Sequence, residues 1–273
     1  MKFTKTIALA LAAGVVSSAA LAEEESKNSA EVYVGGAFQS AYIATGTTCN
    51  DGWVFQPYVD VSNFKFGDIT VPLTLEFWGN MDLEADFPGD DTYESGRFSE
   101  IDLEAILDFA AIMGIDDNVI LSLGYLQYDY PTSGATSDHL LDFKLGYNDG
   151  MLTPTFRAKY RFAGDSKDKC EIAFMIGHDF ALSDDITFSL SADCWYVVQA
   201  NGSSLDDGFA CADYTAKIAF KNLYAFATYV QQLDDKVLPD GGRGHDVNED
   251  GTPAYGWGYD AEWILGVGFD LAF

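Results

Sequence analysis

The sequence predicts an all-β fold, a transmembrane antiparallel up-and-down β-barrel of about 12 strands. Three observations carry that prediction. Segments of roughly 10 to 14 residues alternate apolar and polar with period two, the signature of strands. The connections between them alternate short and long. Tyrosines and tryptophans, among them Trp53, Tyr147, Tyr160, Tyr196 and Trp263, fall near segment ends, as an interfacial girdle requires.

Taken in order, the alternating segments lie near 31–46, 53–63, 69–83, 98–112, 118–130, 138–148, 152–163, 169–182, 186–198, 208–220, 222–232 and 261–273. One face of each is apolar: Val71, Leu73, Leu75 and Phe77; Leu141, Phe143, Leu145 and Tyr147; Ile172, Phe174 and Ile176. The stretch "EIDLEAILDFAAIM" is rich in helix formers, yet Ile101, Leu103, Ala105, Leu107 and Phe109 alternate strictly with mostly acidic neighbours, which predicts a strand. Connections after even-numbered segments are as short as "DG" and "KN", and those after odd-numbered segments reach "EADFPGDDTYESGR". Short turns on one side and long loops on the other suit an outer-membrane barrel. In lipid the sheet must close, because an open edge leaves backbone groups unpaired. A water-soluble sandwich would share the alternation and remains the weaker reading.

The last segment, "WILGVGFDLAF", alternates apolar Trp263, Leu265, Val267, Phe269, Leu271 and Phe273 with smaller residues. It must pair with "EVYVGGAFQS" to close the ring. In this it resembles outer-membrane proteins, a likeness that implies an assembly signal at Phe269, Leu271 and Phe273 read by the barrel-assembly machinery. The stretch "GGAFQSAYIATGTTCNDGWVFQPYVDVSNF", followed by "LTLEFWGNMDL", resembles the TorF-type porin family over residues 32–83. Ser40, Ala41, Tyr42, Ile43 and Gly46 match its first motif, and Gln56-Pro57 its second. Thr45 stands where the family has arginine, so no role of that arginine carries over. The resemblance implies a pore-like barrel and names no substrate.

Residues 1–22 read as a signal peptide: Lys2 and Lys5, a short apolar run, then Ala20-Leu21-Ala22 before the cleavage point. Export to the outer membrane follows. Residues 23–30 form a short N-terminal segment and 31–273 the barrel. The formal net charge of -28 excludes a nucleic-acid partner, since phosphate binding needs a positive surface. It favours small cations as partners, beside the lipid bilayer itself. Cys49, Cys170, Cys194 and Cys211 form no C-x-x-C pair, and their spacing leaves any disulfide connectivity open. Alternation puts Cys194 towards lipid and Cys211 inside, which favours no bond between them.

If the apolar faces meet lipid, the other faces line a lumen. The expected pore-lining residues are Glu76, Glu100, Asp102, Glu104, Asp108, Asp142, Lys144, Arg157, Lys159, Arg161 and Asp179, with Asp60, Asp82, Glu171, Asp193, Asp213 and Lys217 on the same faces. Two ladders stand out. The acidic one is Glu100, Asp102, Glu104 and Asp108; the basic one is Arg157, Lys159 and Arg161. Opposed ladders would set a transverse field across a pore, and excess acid would favour cations. The competing reading is that the ladders are salt bridges filling a narrow barrel.

Other chemistry is thinly represented. "DVNEDG" places Asp246, Asn248 and Asp250 at the spacing that opens a calcium loop, a candidate Ca2+ site, but Trp257 stands where the closing glutamate belongs. Ser137 and His139 share a face without a third orienting group, and no G-x-S-x-G or H-E-x-x-H occurs, so no enzyme is expected. The expected function is passive diffusion of small hydrophilic solutes through a cation-preferring channel. Its alternative is a closed structural or surface-interaction barrel with acidic, ion-binding loops.

Overall fold

The computed structural model describes residues 28–84, 95–133, 135–241 and 258–273. The expected leader, residues 1–22, lies outside them, as do the candidate calcium ligands Asp246, Asn248 and Asp250. Twelve strands form the wall: β1 (Asn28–Gln39), β2 (Val54–Phe66), β3 (Leu73–Asp82), β4 (Arg97–Asp108), β5 (Val119–Asp129), β6 (Asp138–Tyr147), β7 (Thr155–Ala163), β8 (Cys170–Ser183), β9 (Ile186–Val198), β10 (Gly208–Phe220), β11 (Leu223–Gln232) and β12 (Trp263–Ala272). Each pairs antiparallel with the next, and β1 pairs with both β2 and β12. The ring is closed, so no wall strand carries an unpaired edge into lipid.

Closure uses the last residues, as the alternation predicts. Tyr33 faces Ala272 and Gln39 faces Gly266, and the Val32 and Phe273 backbones exchange both hydrogen bonds. The outward positions are apolar and exposed: Leu75, Leu103, Leu123, Leu145, Phe174, Leu190, Leu265 and Val267 among them. A water-soluble sheet would hide such a surface. The sandwich reading therefore falls.

Three segments differ from expectation. The first strand stops at Gln39 rather than continuing to residue 46, and Tyr42–Ala44 and Thr47–Asn50 instead form a separate small hairpin. The fourth stops at Asp108, and Phe109–Met113 is a one-turn helix, α1. Asp108 caps it by accepting from Ala111 N at 3.1 Å, and Gly114 ends it in the left-handed region at φ 64°. Strand three is nicked at Pro72, which has no N–H for the ladder. The short strand Ile69–Val71 pairs with β2 on one side of the nick, and β3 continues the pairing on the other.

No disulfide joins the four cysteines. Cys211 is buried inside, opposite Trp195.

Candidate functional site

The interior is the site. Alternation brings the inward side chains of neighbouring strands into rows. One row is acidic throughout: Asp60 on β2 pairs with Glu76 on β3, which pairs with Glu104 on β4. The next strand makes room for it at Gly124, where a Cβ would sit 2.3 Å from Glu104 Oε1. Asp142 on β6 lies opposite Gly124 and Lys159 on β7, so the Glu104 carboxylate overlies Gly124 towards Asp142.

The basic ladder is engaged by its own neighbours. Arg157 Nε and Nη2 clasp Asp142 at 3.0 and 2.5 Å, and Lys144 Nζ adds a contact at 3.7 Å. Arg161 reaches Asp138 at 2.5 Å and Glu171 at 3.3 Å, and Lys169 closes on Glu171 at 2.9 Å. Lys159 donates to the Tyr128 hydroxyl at 2.9 Å and lies under the rings of Tyr128 and Trp195. Asp142 and Asp138 are only 1% and 2% exposed, so these pairs are buried and costly to break.

This corrects the expected transverse field. β4 and β7 are three strands apart in a ring of twelve, a quarter turn, so the ladders converge on one side of the lumen rather than facing across it. The bases are neutralised by Asp138, Asp142 and Glu171 on flanking strands. Asp108 is a second correction: its carboxylate is exposed and caps α1, so it lines no ladder. The remaining expected residues lie on inward faces. Glu100 and Asp102 sit beside the converging bases, and Asp179 is exposed where β8 nears its short turn. Among the described residues, Asp102 Oδ1, Glu104 Oε1 and Asp213 Oδ1 have no hydrogen-bond partner.

The extracellular half contains groups that the alternation did not reveal. The small hairpin folds into the lumen. Tyr42 donates to Glu100 at 2.7 Å and its ring meets Trp78. Asn50 Nδ2 donates to Asp82 at 2.8 Å, and Thr48 Oγ1 accepts from the backbone of Asp260 and Ala261. Gly46 packs so closely on Leu238 and Cys211 that any Cβ there would clash. Beside it, Val237 and Leu238 from the last loop join Trp195, Val197, Cys211, Val230 and Ile264 in an apolar cluster, against which Ile43 and Tyr259 pack. The one sequence sign of this hairpin is its turn, Thr45-Gly46, followed by "NDG". Asp138 shares the parity of Asp142 and was legible in principle.

The single Ser–His pairing does not form. Ser137 donates to Asp129, while His139 Nδ1 meets the Tyr125 hydroxyl at 2.7 Å on the outer wall.

A closed antiparallel barrel with an apolar outer wall and a charged interior defines an integral outer-membrane protein. The chain belongs to the outer membrane protein beta-barrel domain family, whose pattern matches residues 8–208. No curated protein sequence matches it. Among solved structures, the NanC porin is similar at 12% identity and a TM-score of 0.47, over 88% of this chain and 100% of that one. An outer membrane channel from Pseudomonas putida F1 is similar at 10% identity and a TM-score of 0.45, over 92% and 99%. An anion-selective porin from Comamonas acidovorans matches at 11% identity and a TM-score of 0.33, over 91% and 100%.

Proposed function

We propose that the protein is an outer-membrane channel for passive movement of small hydrophilic solutes, with a preference for cations. One observation carries the reading. The inward bases of β6 and β7 are held in ion pairs or aromatic contacts, whereas Asp60, Glu76 and Asp179 have no ion-pair partner among the described residues. The field left over in the lumen is therefore negative, and acid-lined pores concentrate cations. The inward hairpin and the apolar cluster narrow the extracellular half, and the acidic row below them forms the approach from the periplasm.

The match of Ser40, Tyr42 and Gly46 supports placement with the TorF-type porins, and in this reading the matched motif builds the constriction. Export through cleavage after Ala22, and insertion by the barrel-assembly machinery through Phe269, Leu271 and Phe273, complete the proposal. A second reading, a closed structural barrel, is favoured by the same apolar cluster if it never moves. Single-channel recording in planar bilayers separates the two. Discrete conductance steps support the channel, and a correctly inserted but silent barrel supports the closed one.

A further inference from the structure

Two members of the apolar cluster belong to no strand: Val237 and Leu238, in the loop after β11. They end the turn Asp234–Leu238, "DDKVL". Its first three residues are charged and exposed, whereas Val237 and Leu238 are only 3% and 4% exposed. One turn of backbone makes that change of face, since the Val237 and Leu238 N–H groups both donate to Asp234 O, at 3.2 and 3.0 Å. The two side chains then pack among Trp195 on β9, Cys211 on β10, Val230 on β11 and Ile264 on β12. The inward hairpin completes the seat: a Cβ at Gly46 would stand 2.6 Å from Leu238 Cδ2.

The turn is held more lightly than the rest of the interior. Gln232 Nε2, at the end of β11, donates to Leu238 O at 2.7 Å, and Gln199 Nε2, just past β9, donates to Val237 O at 3.1 Å. Asp206 N donates to Lys236 O at 3.0 Å. All three bonds join neutral groups, and no ion pair among the described residues fixes Asp234–Leu238. Deeper in the lumen, Arg157 and Arg161 are clasped by buried carboxylates. Neutral hydrogen bonds are weaker than charge-assisted ones, so this turn is the part of the interior released at least cost. The chain is pinned on both sides of it, by β11 up to Gln232 and by the bond from Tyr259 N to Pro239 O at 2.8 Å.

We propose that Asp234–Leu238 is the gate of the channel, latched shut by Gln199 and Gln232. The inference rests on the channel reading above and names its regulation. In the latched state Val237 and Leu238 seal the space between β9–β12 and the hairpin with apolar surface, which shuts out water and ions together. Release lifts both side chains away while the hairpin keeps its own ties, Tyr42 to Glu100 and Asn50 to Asp82. The charged start of the turn stays in water in either state.

A disulfide across the seat tests this. A Cβ at Gly208, the first residue of β10, would lie 4.0 Å from Val237 Cβ, within the span of a disulfide. Single-channel current through the Gly208→Cys, Val237→Cys barrel is recorded before and after reductant, with the cross-link confirmed by mass spectrometry. The parent, carrying the four native cysteines, is the control. The expected result is an inserted barrel that is silent when oxidised and shows conductance steps when reduced. A cross-linked barrel that conducts as the parent does overturns the gate and leaves the channel reading standing. Gln199→Ala with Gln232→Ala removes the latch and keeps the wall, and should raise the ratio of open to closed time about tenfold. An unchanged ratio would overturn the latch. If the parent is silent, steps in this double variant support the gate, and silence there as well overturns gate and channel together.

Discussion

The Tyr42 hydroxyl donates to Glu100 at 2.7 Å across 58 residues of sequence, and that bond ties an extracellular hairpin into the lumen. It couples the hairpin to the upper end of the acidic ladder. Tyr42→Phe keeps the ring against Trp78 and removes the tie, at a cost of about 1–3 kcal/mol because Glu100 loses a half-buried donor to its charge. The expected outcome is a larger or noisier single-channel conductance. An unchanged trace would show that the hairpin is held elsewhere.

Thr45 provides the opposite manipulation. It sits at φ 50°, followed by Gly46 at φ 80°, the backbone of a tight hairpin turn. A β-branched residue is strained in that region by about 1–2 kcal/mol. Thr45→Gly should tighten the hairpin, lower current noise and leave the melting temperature equal or higher, as circular dichroism in detergent would read.

Arg157→Ala leaves Asp142 buried without its bidentate partner, so about 3–5 kcal/mol of stability should go. The heat-modifiable shift on a gel would then occur at a lower temperature. Any barrel that does insert should prefer cations more strongly than the parent.

Gly124→Ala pushes a Cβ against Glu104 Oε1. The carboxylate must swing off its perch, and about 1–3 kcal/mol of overpacking cost is expected in urea unfolding. Wild-type stability here would mean that Glu104 moves freely.

The turn between β6 and β7 has a pH signature. The Leu152 and Met151 N–H groups donate to Asp149 and hold its carboxyl below the ordinary range. A depressed value contributes stability that is present above the unfolded midpoint, near pH 4, and lost only as pH falls through the lower folded one. Amide protection at Met151 and Leu152 should therefore persist at pH 4 and fade below it. Fading above pH 5 would contradict the assignment.

Strand number, faces and closure were legible because period-two alternation is a local property, and lipid enforces it on every outward position. Asp108 and Phe109 show where it misleads. The apolar rhythm continues through "DFAAIM", but an aspartate able to cap and a glycine at position 114 favour a helical turn once the wall has ended. Segment 31–46 failed similarly: alternation from Tyr42 onward belongs to a hairpin, since Thr45-Gly46 reverses the chain. Parity put Arg157 and Glu104 inside, and the strand count already implies that β4 and β7 stand a quarter turn apart, but neither names the partners of the bases. Only the ring's geometry reveals that Asp142, Asp138 and Glu171 absorb the bases.

The reversal potential of the inserted barrel in a potassium chloride gradient tests the central claim most directly. A potential shifted towards the potassium equilibrium value, and reduced in the Asp60→Asn, Glu76→Gln double variant, is the predicted result. A potential of the chloride sign, or a barrel that inserts and passes no current, would contradict the account.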